Sequence, residues 1–269
     1  MIDIHTHIGP LSFAPDWPTL TAEMLIERMD ENGIEKSVIL TLDSPEAVDG
    51  CLTVPEALKA VEAYPDRLIA FAAVDPRRNK VAEKICLYRE MGCRGFGEHK
   101  MGLEVDDPRC QVIYETCGEI GWSVLFHHDP QLNIDENGLP RTEQMVKKFP
   151  ETKFIMHGPG WWCESSGDYT VRGGYPKGPV TPGGAIDRLL SAYPNLYADI
   201  SAGSGHNALT RDLDFTPGFL DRHWQKLCFG TDLLRAGQEL PTVDWFKNLE
   251  LAPEKKAAIA WQNADKLIA

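Results

Sequence analysis

Short runs rich in β-branched and aromatic residues alternate with longer amphipathic stretches along the whole chain, and this alternation limits the fold more than any other feature. Eight strands are predicted, at 2–5, 37–41, 68–74, 93–97, 123–127, 153–157, 196–200 and 227–230. Between them a helical period marks 21–32, 54–64, 80–91, 108–120, 142–149 and 184–192. Gly33, Gly92 and Gly121, and likewise Pro65, Pro150 and Pro194, sit just past helical runs, where helices stop. Strands separated by helices pair in parallel, and eight β/α units close naturally into a barrel. The rival is a doubly wound open sheet. No Gly-x-Gly-x-x-Gly turn follows the first strand, which removes the commonest dinucleotide-binding signature of that rival. The expectation is therefore an α/β chain forming one (β/α)8 TIM-barrel domain across residues 1–269. The stretch 158–184, dense in Gly, Pro and Trp, is expected to be a long lid or binding loop after the sixth strand.

Composition narrows the partners. With 27 basic and 40 acidic residues the net charge is −13, which opposes a phosphate backbone or an anionic membrane, so no nucleic-acid or membrane partner is expected. No uninterrupted apolar stretch approaches the ~18 residues of a membrane span. Cysteines stand at 51, 86, 93, 110, 117, 163 and 228, an odd number without a Cys-x-x-Cys pair, and read as reduced, mostly buried thiols. The chain starts on a strand without a basic, then apolar, leader, and a cytoplasmic location is expected.

Parallel barrels place their chemistry at the C-terminal ends of the strands. The first predicted strand ends in His5-Thr6-His7, and residues i and i+2 of a strand share a side, so both imidazoles can project into the barrel mouth. Paired neutral imidazoles suit a borderline metal such as zinc. The fourth strand runs into Glu98-His99-Lys100, the fifth into His127-His128-Asp129, the sixth ends at His157 and the eighth reaches Thr231-Asp232. Each instance alone is bland; five strands ending at metal-ligand types, all at the functional end, are not. By alternation His99 and His128 turn away from the mouth. His206 could reach the pocket, and His223 reads as structural. Trp161 and Trp162 open the long loop, either as an aromatic wall over substrate or as an anchor on the barrel rim. Lys100, Arg172, Lys177 and Arg235 are the cations closest to strand ends and candidates for a substrate carboxylate.

The segments Ile2-Asp-Ile-His-Thr-His7, the run 64–76, Val124-Leu-Phe-His127, Phe154-Ile-Met-His157, Phe229-Gly-Thr-Asp232 and Asn263-Ala264 occur in an order that resembles the amidohydrolase-2 group of the metal-dependent amidohydrolase superfamily, TIM-barrel hydrolases and decarboxylases. The resemblance implies that His5, His7 and Asp232 hold one metal ion. It implies that His127 and His157 hold a second, with Glu98 as the bridging carboxylate and Lys100, two residues beyond the strand end, as competitor for a role that some relatives give to a carboxylated lysine; mononuclear relatives keep His157 as a catalytic group. Two divalent ions, zinc foremost, are expected; Mn, Fe, Co and Ni suit the same ligands. A metal lowers the pKa of water from about 15.7 toward about 7 and polarises the carbonyl under attack. Asp232 would take the proton and return it to the leaving group. The expected reaction is hydrolysis of an amide, lactone or ester in a small, carboxylated molecule, with Lys100 and Trp161 as substrate-binding residues. The alternatives are non-oxidative decarboxylation on the same scaffold, a TatD-like metal-dependent nuclease, and a non-catalytic metal-binding barrel. A homodimer is expected by analogy alone.

Overall fold

The computed structural model describes residues 1–10, 16–46 and 52–268. In chain order the elements are β1 (Ile2–Thr6), α1 (Ala22–Asn32), β2 (Lys36–Leu40), α2 (Val54–Ala63), β3 (Leu68–Phe71), α3 (Val81–Glu90), β4 (Phe96–His99), α4 (Pro108–Ile120), β5 (Ser123–His127) and α5 (Pro140–Lys148). They continue with β6 (Lys153–His157), α6 (Pro159–Trp162), α7 (Ala185–Ala192), β7 (Leu196–Asp199), α8 (Ala202–Thr210), α9 (Phe215–His223), β8 (Leu227–Cys228), α10 (Pro241–Asn248), α11 (Pro253–Ala257) and α12 (Asn263–Leu267). Local chemistry sets the boundaries. The Thr21 hydroxyl accepts from Met24 N at the start of α1, and Gly33 ends that helix at φ 66°, the left-handed region glycine occupies without steric cost.

Neighbouring strands pair in parallel in the orders β1-β2-β3 and β4-β5-β6-β7-β8. Parallel bridges Ala72↔Phe96 and Thr6↔Leu233 join the two sets, and Ile4 N donates to Phe229 O at 3.1 Å. The ring is thereby closed as a (β/α)8 TIM barrel. β3 is shorter than the sequence predicts because the tip of β2 passes over to β4: Thr41 N donates to Gly97 O at 3.1 Å, and Glu98 N to Thr41 O at 2.8 Å. β4 in turn reaches His99 rather than stopping at 97.

Two buried layers follow from strand alternation. The larger lies between the strands and the helices. The smaller fills the lower barrel with Ile2, Ile4, Val38, Leu40, Phe71, Leu125, Ile155 and Cys228, capped by Ala264 and Leu267 of α12. Ser123 Oγ donates to Leu267 O at 2.8 Å and ties that cap to β5. Just before β4 a glycine is required, since a Cβ on Gly95 would run into the Phe71 ring. The stretch 158–184 is not bare loop, since it opens with α6 and a 3-10 turn at Cys163–Ser165. Among the described residues no helix is long and apolar enough to cross a membrane. Cys86 is exposed and Cys93, Cys110, Cys117, Cys163 and Cys228 are buried, all unbonded; Cys51 lies outside the described residues.

Candidate metal centre

Strict alternation would misplace half of the mouth. Ile2 and Ile4 face the barrel interior, so His5 and His7 should face outward. The pairing of β1 on β2 runs Ile2↔Lys36, Asp3↔Ser37, then Thr6↔Ile39, giving β1 one residue more than its partner. This bulge reverses the parity, and His5 and His7 turn in above Ile4. β4 repeats the device: Phe96 pairs with Val124 and His99 with Phe126, three residues against two. Phe96 and His99 both face the helices, the His99 ring 4.7 Å from that of Phe126, and Glu98 faces inward. β5 and β6 need no bulge. Their register pairs His127 with His157 directly, above inward Leu125 and Ile155.

On the β8 side, Thr231 N and Oγ1 donate to Asp3 at 3.0 and 2.6 Å, while Asp232 N donates to His5 O at 2.9 Å. Asp232 adopts φ 55° there. Burial pushes the Asp3 carboxyl up to about 7 even though Thr231 and His5 N–H groups stabilise its charge.

Three groupings whose donor atoms lie within 4.8 Å of one another result among the described residues: His5, His7 and Asp232; Glu98, His127 and His157; and His5, His157 and Asp199. His5 Nε2 is 3.2 Å from His7 Nε2 and 3.4 Å from Asp232 Oδ1. Glu98 spans the first two groupings, Oε1 2.9 Å from His127 Nδ1 and Oε2 3.5 Å from His7 Nε2. All six residues that the resemblance nominates are thus brought together. Lys100 Nζ lies 3.7 Å from Glu98 Oε2 at the rim.

The electrostatics are those of a crowded anionic well. Burial disfavours a charged His5, but Asp199, Asp232 and Glu98 outweigh it and raise that imidazole to about 9. Burial lowers His7 to about 4, with the neighbouring His5 adding to the effect against Glu98 and Asp232. Two ring nitrogens 3.2 Å apart cannot both carry protons cheaply, so His7 stays neutral. Burial alone would raise Glu98; Lys100, His127 and His5 hold it well below the usual carboxylate range. One acceptor is left over: among the described residues Glu98 Oε2 is buried with no hydrogen-bond partner, Lys100 Nζ lying 3.7 Å away. Lys100 offsets its charge without a hydrogen bond, so that oxygen keeps a lone pair that a metal cation can take. Imidazoles plus carboxylates are the donor set that borderline divalent metals take, so the residues fit a metal ion.

Asp199, at the end of β7, is the residue that sequence reasoning missed. Its carboxylate accepts from His5 Nδ1 at 2.8 Å and from His157 Nδ1 at 2.9 Å, and it is held well below its usual range because those imidazoles outweigh burial. The signal was available, since an acidic residue ends the seventh strand as Glu98 and Asp232 do at the fourth and eighth. His99 and His128 are packed outside the barrel, as alternation predicts. His206 lies on α8 and joins none of the groupings; His223 pairs with Asp187 at 2.5 Å. Arg172 pairs with Glu164 at 3.4 Å, and Arg235 lies 5.0 Å over the Trp17 ring. Trp161 and Trp162 are buried, and Trp162 Nε1 donates to Asp199 O at 3.1 Å. They pin α6 to the barrel and leave Trp161 no face open to substrate in this conformation.

Comparison with known proteins agrees with this fold. A probable 2-pyrone-4,6-dicarboxylic acid hydrolase from Acinetobacter baumannii superposes with a TM-score of 0.64 at 16% identity, covering 99% of this chain and 98% of that one. An amidohydrolase from Burkholderia multivorans with bound zinc gives 0.64 at 16% identity, covering 99% and 98%. A dihydroxybenzoic acid decarboxylase from Polaromonas, with bound manganese and an inhibitor, gives 0.59 at 18% identity, covering 99% and 96%. No curated protein matches in sequence. The amidohydrolase family model, however, matches residues 2–268, and the chain is an enzyme belonging to the amidohydrolase family.

Proposed function

We propose that this enzyme hydrolyses an amide, lactone or ester bond in a small carboxylated molecule, using two divalent metal ions at the barrel mouth. The observation that carries the reading is Glu98, whose two oxygens face two His-rich groupings while Oε2 has no hydrogen-bond partner among the described residues. His5, His7 and Asp232 would hold one ion, and His127 and His157 the other, with Glu98 between them. Zinc and manganese, bound in the two similar structures, are the leading candidates. When bound, such ions supply Lewis acidity, polarising the scissile carbonyl and acidifying water.

The chain's own residues supply the rest. Asp232 is the most open carboxylate of the cluster, its side chain 19% exposed against 1% for Glu98, so it can meet a substrate. It is positioned to accept the proton of the attacking water and to deliver it to the leaving group. His157, with Nε2 4.0 Å from Asp232 Oδ2, faces the same reacting space and would hold the second ion beside it. Lys100 adds positive charge at the rim for a substrate carboxylate. The deep burial of His5, Glu98 and Asp199 excludes bulk water below the reacting plane.

The same ligands would also suit a non-oxidative decarboxylation, and one of the similar structures is named a decarboxylase. The two separate cleanly in ¹⁸O-water. Zinc- or manganese-loaded enzyme, given a panel of carboxylated lactones, esters and amides beside hydroxybenzoates, should place ¹⁸O in a product carboxylate. Carbon dioxide release without ¹⁸O incorporation would replace hydrolysis with decarboxylation.

A further inference from the structure

We propose that Asp199 is a positioning residue that sets the tautomers of two imidazoles at once, so that His5 and His157 both present Nε2 to the metal site. The inference rests on the two-metal reading above and deepens it.

A neutral imidazole has one N–H and one lone pair, so whichever nitrogen donates a hydrogen bond leaves the other free to ligate. Asp199 is fully buried and accepts from both rings through Nδ1: His5 at Oδ2, 2.8 Å, and His157 at Oδ1, 2.9 Å. The Nε2 atoms of both rings then point at the cluster, His5 Nε2 3.4 Å from Asp232 Oδ1 and His157 Nε2 4.0 Å from Asp232 Oδ2. His5 also belongs to the His5, His7 and Asp232 grouping and His157 to that of Glu98 and His127, the two proposed to hold separate ions, so one side chain on β7 orients a ligand in each. His127 is served separately and in the opposite sense: Asp129 Oδ2 faces its Nε2 at 3.3 Å, leaving Nδ1 toward Glu98.

The two oxygens of Asp199 are not equivalent. Oδ1 also accepts from Ser201 Oγ at 2.6 Å and from Ser201 N at 3.0 Å. A hydroxyl can rotate away, but a backbone N–H cannot, so the Oδ1 position must remain an acceptor. In Asp199→Asn the amide oxygen therefore takes that position and the NH₂ group turns to His5. His5 Nδ1 must then accept, its proton moves to Nε2, and the ligating lone pair is lost. His157 keeps its tautomer. A substitution that barely changes shape should thus disable one named ligand out of two.

The test uses full-length protein with ¹⁵N-labelled histidine, stripped of metal and titrated with zinc. Long-range ¹H–¹⁵N spectra report the tautomers, and calorimetry reports the binding. In zinc-loaded wild type, His5 and His157 should both carry Nδ1–H. In Asp199→Asn, His5 should switch to Nε2–H while His157 does not, with zinc affinity falling tenfold or more at one of the two sites, the range typical for loss of a ligand's orienting partner. Ser201→Ala, which keeps the backbone donor, should preserve both tautomers. Either imidazole carrying Nε2–H in loaded wild type overturns the inference, whether or not the variant folds. So does a loss of affinity in Asp199→Asn with both tautomers unchanged, which would reduce Asp199 to a bare charge. Wild type that takes up no zinc fails at the earlier step, overturning the metal reading itself.

Discussion

The floor and the mouth of this barrel are made from the same strands, a few residues apart, and share almost no chemistry. Ile4 lies below His5, Leu125 below His127, Ile155 below His157 and Cys228 below Asp232, every one of them inward-facing. The lower layer is apolar. The upper layer holds His5, His7, Glu98, His127, His157, Asp199 and Asp232, paired chiefly with one another. The contrast divides the labour: the floor stabilises the ring and forms the low-dielectric base against which the charged layer is held, and the mouth carries the reactivity.

The sharpest break between the layers is expected in turnover. Asp232→Asn, which alters the mouth and leaves the floor intact, should lower turnover about 10²–10⁴-fold, the usual worth of a positioned acid–base group, without lowering the Tm of the metal-free protein by more than a few degrees. An unchanged rate would remove Asp232 from the chemistry. Ile155→Ala should do the reverse: a stability loss of about 2–5 kcal/mol by denaturant titration, with zinc content unchanged under native conditions. Loss of metal with full stability would show that floor and mouth are not separable in this way.

The smallest expected effect lies on the outer face of the same strand tips. His99 and His128 sit beside Glu98 and His127 in sequence but pack outside the barrel, and burial lowers them to about 3 and about 4. A histidine depressed on folding gives stability that is complete above its ordinary pKa of about 6.5 and is lost as pH falls toward its folded value. Metal-free protein should therefore lose about 1.4 kcal/mol per pH unit for each such histidine between pH 6 and 5. His99→Phe, in surroundings of Phe96, Tyr114 and Phe126, should reduce that slope by about one histidine's share. An identical slope in the variant would contradict neutral burial of His99.

Much of this architecture can be read from the chain, because β/α alternation and helix-stopping Gly and Pro are local signals. The spans of β5 and β6 and their terminal histidines follow from sequence as they stand. The parity of β1 and β4 does not. Their bulges depend on how many residues the neighbouring strand spends over the same distance, which is a pairwise property. The i, i+2 rule correctly placed His5 and His7 on one side, but Ile4 already occupied the other parity on that inward side, and only the bulge reconciles them. Asp199 escaped for a different reason: its place at a strand end was legible, but its partners are two rings on other strands, which no local spacing reveals. Trp161, legible as an aromatic at a loop start, is buried because the run after β6 folds back as α6 onto β7.

The most direct test of the account is metal content. Purified protein, reconstituted with zinc or manganese and desalted, should carry two equivalents per chain by elemental analysis, and Glu98→Ala prepared beside it should carry fewer. Two equivalents falling in the variant would support a carboxylate-bridged pair at the barrel mouth. One equivalent that the substitution leaves untouched would make Glu98 a bystander, and no metal after reconstitution would contradict the central claim outright.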